Sequence, residues 1–213
     1  MSVPLPTAAQ EVPSGLLEPV GTFISASIPD LSREAPQRLW DPPRRLLKSL
    51  RRYQANRERA GLVAAGIRYL SVLEHRFWSI ASGADIPLDC HLGGGLLLVH
   101  ANGIVIHPDA TVGPNCLILQ QVTLTEGVRL GGHVDIGAGA KIIGPVSIGD
   151  HATVGANAVV LSSVPEGATA VGVPSRVILP KNARPAARSA LGLLAEGAST
   201  EEGPAALLIG NRA

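Results

Sequence analysis

The sixteen residues from Asp85 to His100 contain Asp85, Asp89, Cys90, His91, the run Gly93-Gly94-Gly95 and His100. A carboxylate that holds an imidazole in one tautomer makes a general base, and such a base can take the proton of a substrate hydroxyl. Asp85 and His100 are the pair suited to that chemistry. The other histidines are His75, His107, His133 and His151. None stands in an HExxH or CxxC-type spacing. The expected metal set is therefore none, although ligands can also converge from separate segments. The chain has no GxSxG nucleophile elbow, no P-loop and no dinucleotide-binding glycine fingerprint. Cys90 would be a nucleophile only if exposed and activated, and Cys116 reads as packing.

The segment that must position the pair advances in steps of six. From Ile104 every sixth residue is small or β-branched: Ala110, Cys116, Val122, Val128, Val134, Ala140, Val146, Ala152, Ala158, Val164 and Ala170. From Ile106 every sixth is a larger aliphatic: Val112, Ile118, Leu124, Leu130, Ile136, Ile142, Ile148, Val154 and Val160. A period of six fits neither the 3.6 of a helix nor the alternation of a flat strand. It fits a mainly β solenoid, a parallel β-helix with three hexads to a triangular coil. Small and large residues then fill a thin prism, which accounts for an aromatic content of only 3%. His100 falls on the phase of the large aliphatics. It is either a packed, hydrogen-bonded core residue or an imidazole turned to a groove between prisms by a local phase change. The triple glycine offers a place for that change. The rival to a catalytic reading is a solenoid with no activity, a spacer or scaffold.

A chain of 213 residues, 46% hydrophobic and 16% charged, has room for one domain with an appendage. A net charge of +1 excludes a nucleic-acid binder by bulk electrostatics. Two cysteines make no disulfide framework, and neither a signal peptide nor a membrane-spanning run is visible. The expected location is cytoplasmic, with no membrane partner. Residues 1–36 read as extended, with room for a short helix. Residues 37–83 read as helical. There Leu46, Leu47, Leu50 and Tyr53 share a face, and Leu62, Ile67, Leu70, Leu73, Phe77 and Trp78 serve as apolar anchors between Gly61 and Gly83. Arg44, Arg45, Lys48, Arg51 and Arg52 are expected on the solvated side, and the helices are expected to cap the first coil. Residues 84–180 are the β-helix. Residues 181–213 are a tail, with a short helix over Ala186 to Leu194.

Two stretches carry a resemblance: FWSIASGADIPLDCHLGGGLLLVHANGIVIHPDATVGPNCLILQQVTL, and IGAGAKIIGPVSIGDHATVGANAVVLSSVPEGATAVGVPSRV. They are similar to the hexapeptide-repeat acyltransferases, and to the serine O-acetyltransferase branch of cysteine biosynthesis. The resemblance implies a left-handed parallel β-helix and a homotrimer with active sites between neighbouring prisms. Acetyl-CoA would be the co-substrate, lying along the groove against backbone at glycine-alanine corners. That places Ala138, Gly139, Ala140, Lys141, Ala158, Val173, Pro174, Ser175 and Arg176 near it. His100 would deprotonate the serine hydroxyl, Asp85 would orient His100, and the alkoxide would attack the thioester in a ternary complex. Two departures stand out. Val99 occupies the place where members often have Asp, and VTLTEGVRLGGHVDIG runs on where they commonly extrude a glycine-rich loop with an Arg-His pair. Asn102 and His107 border the groove as acceptor-binding candidates. The acceptor is expected to be serine, or another amino acid, a sugar or a secondary metabolite. The helical part is shorter than in the family, so a trimer is expected rather than a hexamer. The isoleucine used to dock on cysteine synthase is replaced by an Arg212-Ala213 end, so that complex is not expected.

Overall fold

A computed structural model describes residues 24–180. The expectations for residues 1–23, and for the tail with its helix over 186–194, lie outside the described residues. The hexads wind into a parallel β-helix of two- and three-residue strands on three faces. The first face stacks His91–Leu92, Thr111–Val112, Arg129–Leu130 and Ser147–Ile148. The second stacks Leu97–Leu98, Leu117–Ile118, Asp135–Ile136, Thr153–Val154 and Thr169–Val171, and Arg176–Ile178 closes it antiparallel. The third stacks Val105–Ile106, Thr123–Leu124, Lys141–Ile142 and Val159–Val160. In each short strand the second residue turns inward, so Ile106, Ile118, Leu124, Ile136, Ile142 and Ile148 are fully buried. Each additional coil buries such residues at roughly 25 cal/mol per Å² of apolar surface, and stacking on the coil below propagates the fold.

The register changes at two places. Along most of the prism paired residues lie one coil of three hexads apart, as Val105 with Thr123 and Thr123 with Lys141. In the first coil Leu98 pairs with Ile118, yet Ile106 pairs with Leu124. The turn between Leu98 and Val105 therefore holds two more residues than the one above it. Val99 N still donates to Ile118 O, and Asn102 O accepts from Gln121 N, which leaves His100 and Ala101 as the inserted residues. The phase change thus falls at His100 itself. Gly93-Gly94-Gly95 is instead an ordinary corner, with Gly93 N donating to Val112 O. A turn two residues short follows Val160. Val164 bridges to Ile148 and Ala170 pairs with Val154, so both stand on the large phase and not on the small phase that the spacing assigns.

Two helices precede the prism. The first, α1, spans Pro42–Asn56, with proline in its first turn where a missing N–H costs nothing. The second, α2, spans Leu62–Ser82 and stops at Gly83, whose φ of 67° is the left-handed region glycine adopts freely. α1 covers the open edge of the first coil with side chains. Arg51 donates to Leu92 O and Gly93 O, and Gln54 to Leu88 O and Cys90 O. Glu34, in a 3-10 turn at Leu31–Glu34, holds Arg51 through two nitrogens and accepts from Leu96 N. The basic side of α1 is thus not simply solvated, because it ties three segments together. Arg45 also stacks on the Trp78 ring, and Arg52 pairs with Glu74. The expected apolar anchors of α2 fare differently. Leu62, Leu70, Leu73 and Phe77 are exposed, and α2 buries Ala64, Ser71, His75 and Ser82 instead. Small and polar residues let α2 lie close against α1, and of the expected anchors Trp78 does pack against the core.

Candidate active site

The corner between the second and third faces forms one continuous edge. Gly103 N donates to Gly83 O, Gln121 N to Asn102 O, Gly139 N to Gln120 O, and Asn157 N to Ala138 O. Ala138 and Gly139 therefore sit two coils beyond Asn102, and Asn157 three. At about 4.8 Å per coil that is a run of about 14 Å. The edge ends where Val159 N donates to Gly172 O and Ser175 N to Val159 O. A long, thin ligand laid along it would meet, in order, His100, Asn102, Gln121, Gly139 and the turn of Val173, Pro174 and Ser175.

The structure lifts His100 out of the prism. The inserted pair turns the chain so that Ala101 takes the inward place and His100 is exposed, with φ at 52°. Few side chains other than glycine, Asn, Asp and His adopt that conformation. Asp85 starts the third face, where it bridges to Val105. Its N–H donates to Ile104 O, its carbonyl accepts from Ile106 N, and the residue is exposed. Both members of the pair thus reach solvent beside the first coil of the edge. Among the described residues no hydrogen bond or ion pair joins them. Gly83 backs onto the same bulge, and a Cβ there would stand 2.6 Å from the Asn102 amide nitrogen.

The other predicted positions divide by location. Asn102 shares the bulge with His100. His107 is one corner farther on, where its Nδ1 accepts from Asp109 N, so it does not lie on this edge. Ala140 and Ala158 are fully buried, and only their backbone can face a ligand. Their amides already donate within the coil, to Gly137 O and Gly155 O. Gly139 has φ 74°, and a side chain there would collide with the Asn157 amide. Val173 and Pro174 are exposed at the far end, and Arg176 is exposed on the closing strand. Lys141 points outward on the third face and turns back, its Nζ donating to Gln121 O at 2.6 Å and to Thr123 Oγ1 at 3.2 Å. Gln120 and Gln121 are functional candidates the sequence reading missed. Their signal was present: they take the hexad place held by Asn102 and Gly103 below and by Ala138 and Gly139 above.

The thiols and the buried histidine are excluded from acid–base work here. Burial pushes the Cys90 thiol up to about 12, with Asp89 and Asp85 adding to it. Burial likewise raises Cys116 to about 11. A thiol so raised is not a nucleophile near neutral pH. His75 is lowered by burial, and its Nε2 is 2.9 Å from Ile86 O, which makes it a neutral strut between α2 and the first coil.

An imidazole is thus exposed at one end of a glycine-lined edge, on a triangular prism of hexads. The chain folds as a parallel β-helix of hexapeptide repeats. Relatives that it matches include serine acetyltransferases. That of Mycobacterium tuberculosis is 40% identical over 121 residues, which is 53% of this chain and 53% of the relative. That of Haemophilus influenzae is 36% identical over 169 residues, 72% of this chain and 61% of the relative. Among solved structures, a serine acetyltransferase in complex with CoA is 36% identical with a TM-score of 0.55, covering 66% of this chain and 58% of that one. Soybean serine acetyltransferase complexed with serine is 33% identical with a TM-score of 0.52, covering 62% and 56%. The chain spans about half the length of the first of these relatives and at most 61% of the second. No protein-family model matches it.

Proposed function

We propose that the protein is an acetyl-CoA-dependent O-acetyltransferase whose acceptor is L-serine. The observation that carries the reading is the two-residue insertion that brings His100 out of the core at the head of the glycine-lined edge. The similarity to serine acetyltransferases, in structures bound to CoA and to serine, supports both substrates. In this reading acetyl-CoA extends along the edge from the Val173–Arg176 turn, past Ala158 and the Ala138–Ala140 corner. Its thioester then lies near His100. The serine hydroxyl gives its proton to the imidazole as the oxygen attacks the thioester carbonyl. The C–S bond breaks, the CoA sulfur leaves and takes up a proton, and the products are O-acetylserine and CoA. Asp85 orients the ring and stabilises the imidazolium as it forms. The acetyl group passes directly, without an acyl-enzyme.

The edge of a single chain faces solvent on one side, so we further propose a homotrimer in which a neighbouring prism walls the groove. Water is then excluded where charge develops. Two free, buried thiols support a cytoplasmic location, and no helix of the described residues is long and apolar enough to cross a membrane. The test is thiol release from acetyl-CoA with L-serine, set beside other amino acids, sugars and hydroxylated metabolites. Release that depends on serine supports the reading. Release with another acceptor alone replaces serine, and no release with no CoA binding leaves a structural β-helix.

A further inference from the structure

We propose that Lys141 anchors the carboxylate of the acceptor, an inference that rests on the O-acetyltransferase reading. An amino acid bound with its hydroxyl at His100 also brings a carboxylate into the groove, and that charge needs a cation within a few ångströms. The lysines and arginines of the described β-helix are Arg129, Lys141 and Arg176. Arg129 lies on the first face, across the prism from the edge that bears His100. Arg176 lies on the closing strand, at the far end of that edge. Lys141 alone of the three is beside the head of the edge, and the geometry points it there.

The ladder on the third face runs Asp85, Val105, Thr123, Lys141, all facing outward. By its backbone Lys141 is three coils from Asp85. Its side chain covers one of those coils by reaching back to Gln121 O and Thr123 Oγ1. Gln121 in turn stacks on Gly103, and its N–H donates to the carbonyl of Asn102, two residues past His100. Along the prism axis the ammonium is thus held about one coil, ~5 Å, from the coil that carries the bulge. An ammonium has three donors, and two are spent on protein oxygens. The third remains for an anion. The span suits a short hydroxy acid or amino acid, in which hydroxyl and carboxylate are separated by two carbons. The side chain's turn toward His100 assigns it to the acceptor and not to the cofactor that the resemblance gives it.

Steady-state kinetics of Lys141→Met and Lys141→Arg tests this, with L-serine and L-serinamide as acceptors and acetyl-CoA varied in turn. The amide keeps the hydroxyl and the amine but lacks the negative charge. Lys141→Met is expected to raise KM for L-serine by roughly tenfold or more, the size of a lost charge-assisted hydrogen bond. KM for L-serinamide and for acetyl-CoA should shift by less than about threefold, and Lys141→Arg should recover part of the loss. The proposal is overturned if both acceptors shift equally, or if KM for acetyl-CoA moves in place of that for serine. A wild-type protein that releases no thiol with serine would instead remove the underlying reading, which is a separate and recognisable result. Circular dichroism of each variant establishes that the coil is intact.

Discussion

His100 holds a backbone conformation that costs most residues energy, and it does so where the inserted pair turns its imidazole out of the core. The other side chains in that conformation on stacked corners are Asn115, Gln121, His133, His151 and Asn157. Asparagine is thus a substitute that preserves the turn while removing the base. In the proposed mechanism Asp85 acts through His100, so Asp85→Asn should lower kcat by less than loss of His100 does, and should lower kcat at low pH no more than at high pH. Paired pH–rate profiles check this. His75 makes a different prediction. Burial lowers its folded value below the unfolded 6.5, so the unfolded chain binds the proton more readily. The ring's contribution to stability is complete above the unfolded value and is lost as pH falls through the folded one. The thermal midpoint should therefore fall between about pH 7 and about pH 5 more steeply in the wild type than in His75→Gln. Equal slopes would show that His75 is not the neutral strut described above.

At the scale of elements, the hexad phases were legible because each inward position obeys one size rule from Ile104 to Val160. The position of the phase change was not legible. A glycine run and a two-residue insertion both interrupt the rule, and only the strand register distinguishes them. Gln120 and Gln121 were overlooked because polar residues at a corner look like solvated turns until the corners are stacked. The apolar pattern of α2 misled for a related reason: periodicity gives a face but not which face is covered. The insertion makes its own prediction. Deleting His100 and Ala101 together should restore a regular coil, with Val99 followed by Asn102 as Leu119 is by Gln120. That variant should fold with a thermal midpoint near the wild type and have no transferase activity. Unfolding would show that the bulge is part of the scaffold. The Glu34–Arg51 contact is the corresponding clasp between segments. Glu34→Ala leaves Leu96 N without its acceptor and strips Arg51 of its carboxylate partner, leaving it only the carbonyls of Leu92 and Gly93, and should cost about 2–3 kcal/mol in chemical denaturation.

For the whole molecule, function and fold share one constraint. The prism is filled by its own side chains, so the proposed chemistry sits on an edge, which in the proposed trimer a neighbouring prism covers. Ile142→Asp would bury an unpaired carboxylate at the centre of the prism and should abolish folding. A native, well-dispersed spectrum from that variant would contradict the inward phase on which the edge depends. The proposed mechanism turns on the exposed imidazole of His100 driving acetyl transfer. It is tested most directly by the rate of serine-dependent thiol release in His100→Asn, which keeps the left-handed turn. The expected result is a fall in kcat of roughly 10²–10⁴, with CoA binding and the circular dichroism spectrum unchanged. A His100→Asn protein that acetylates serine at the wild-type rate would contradict it.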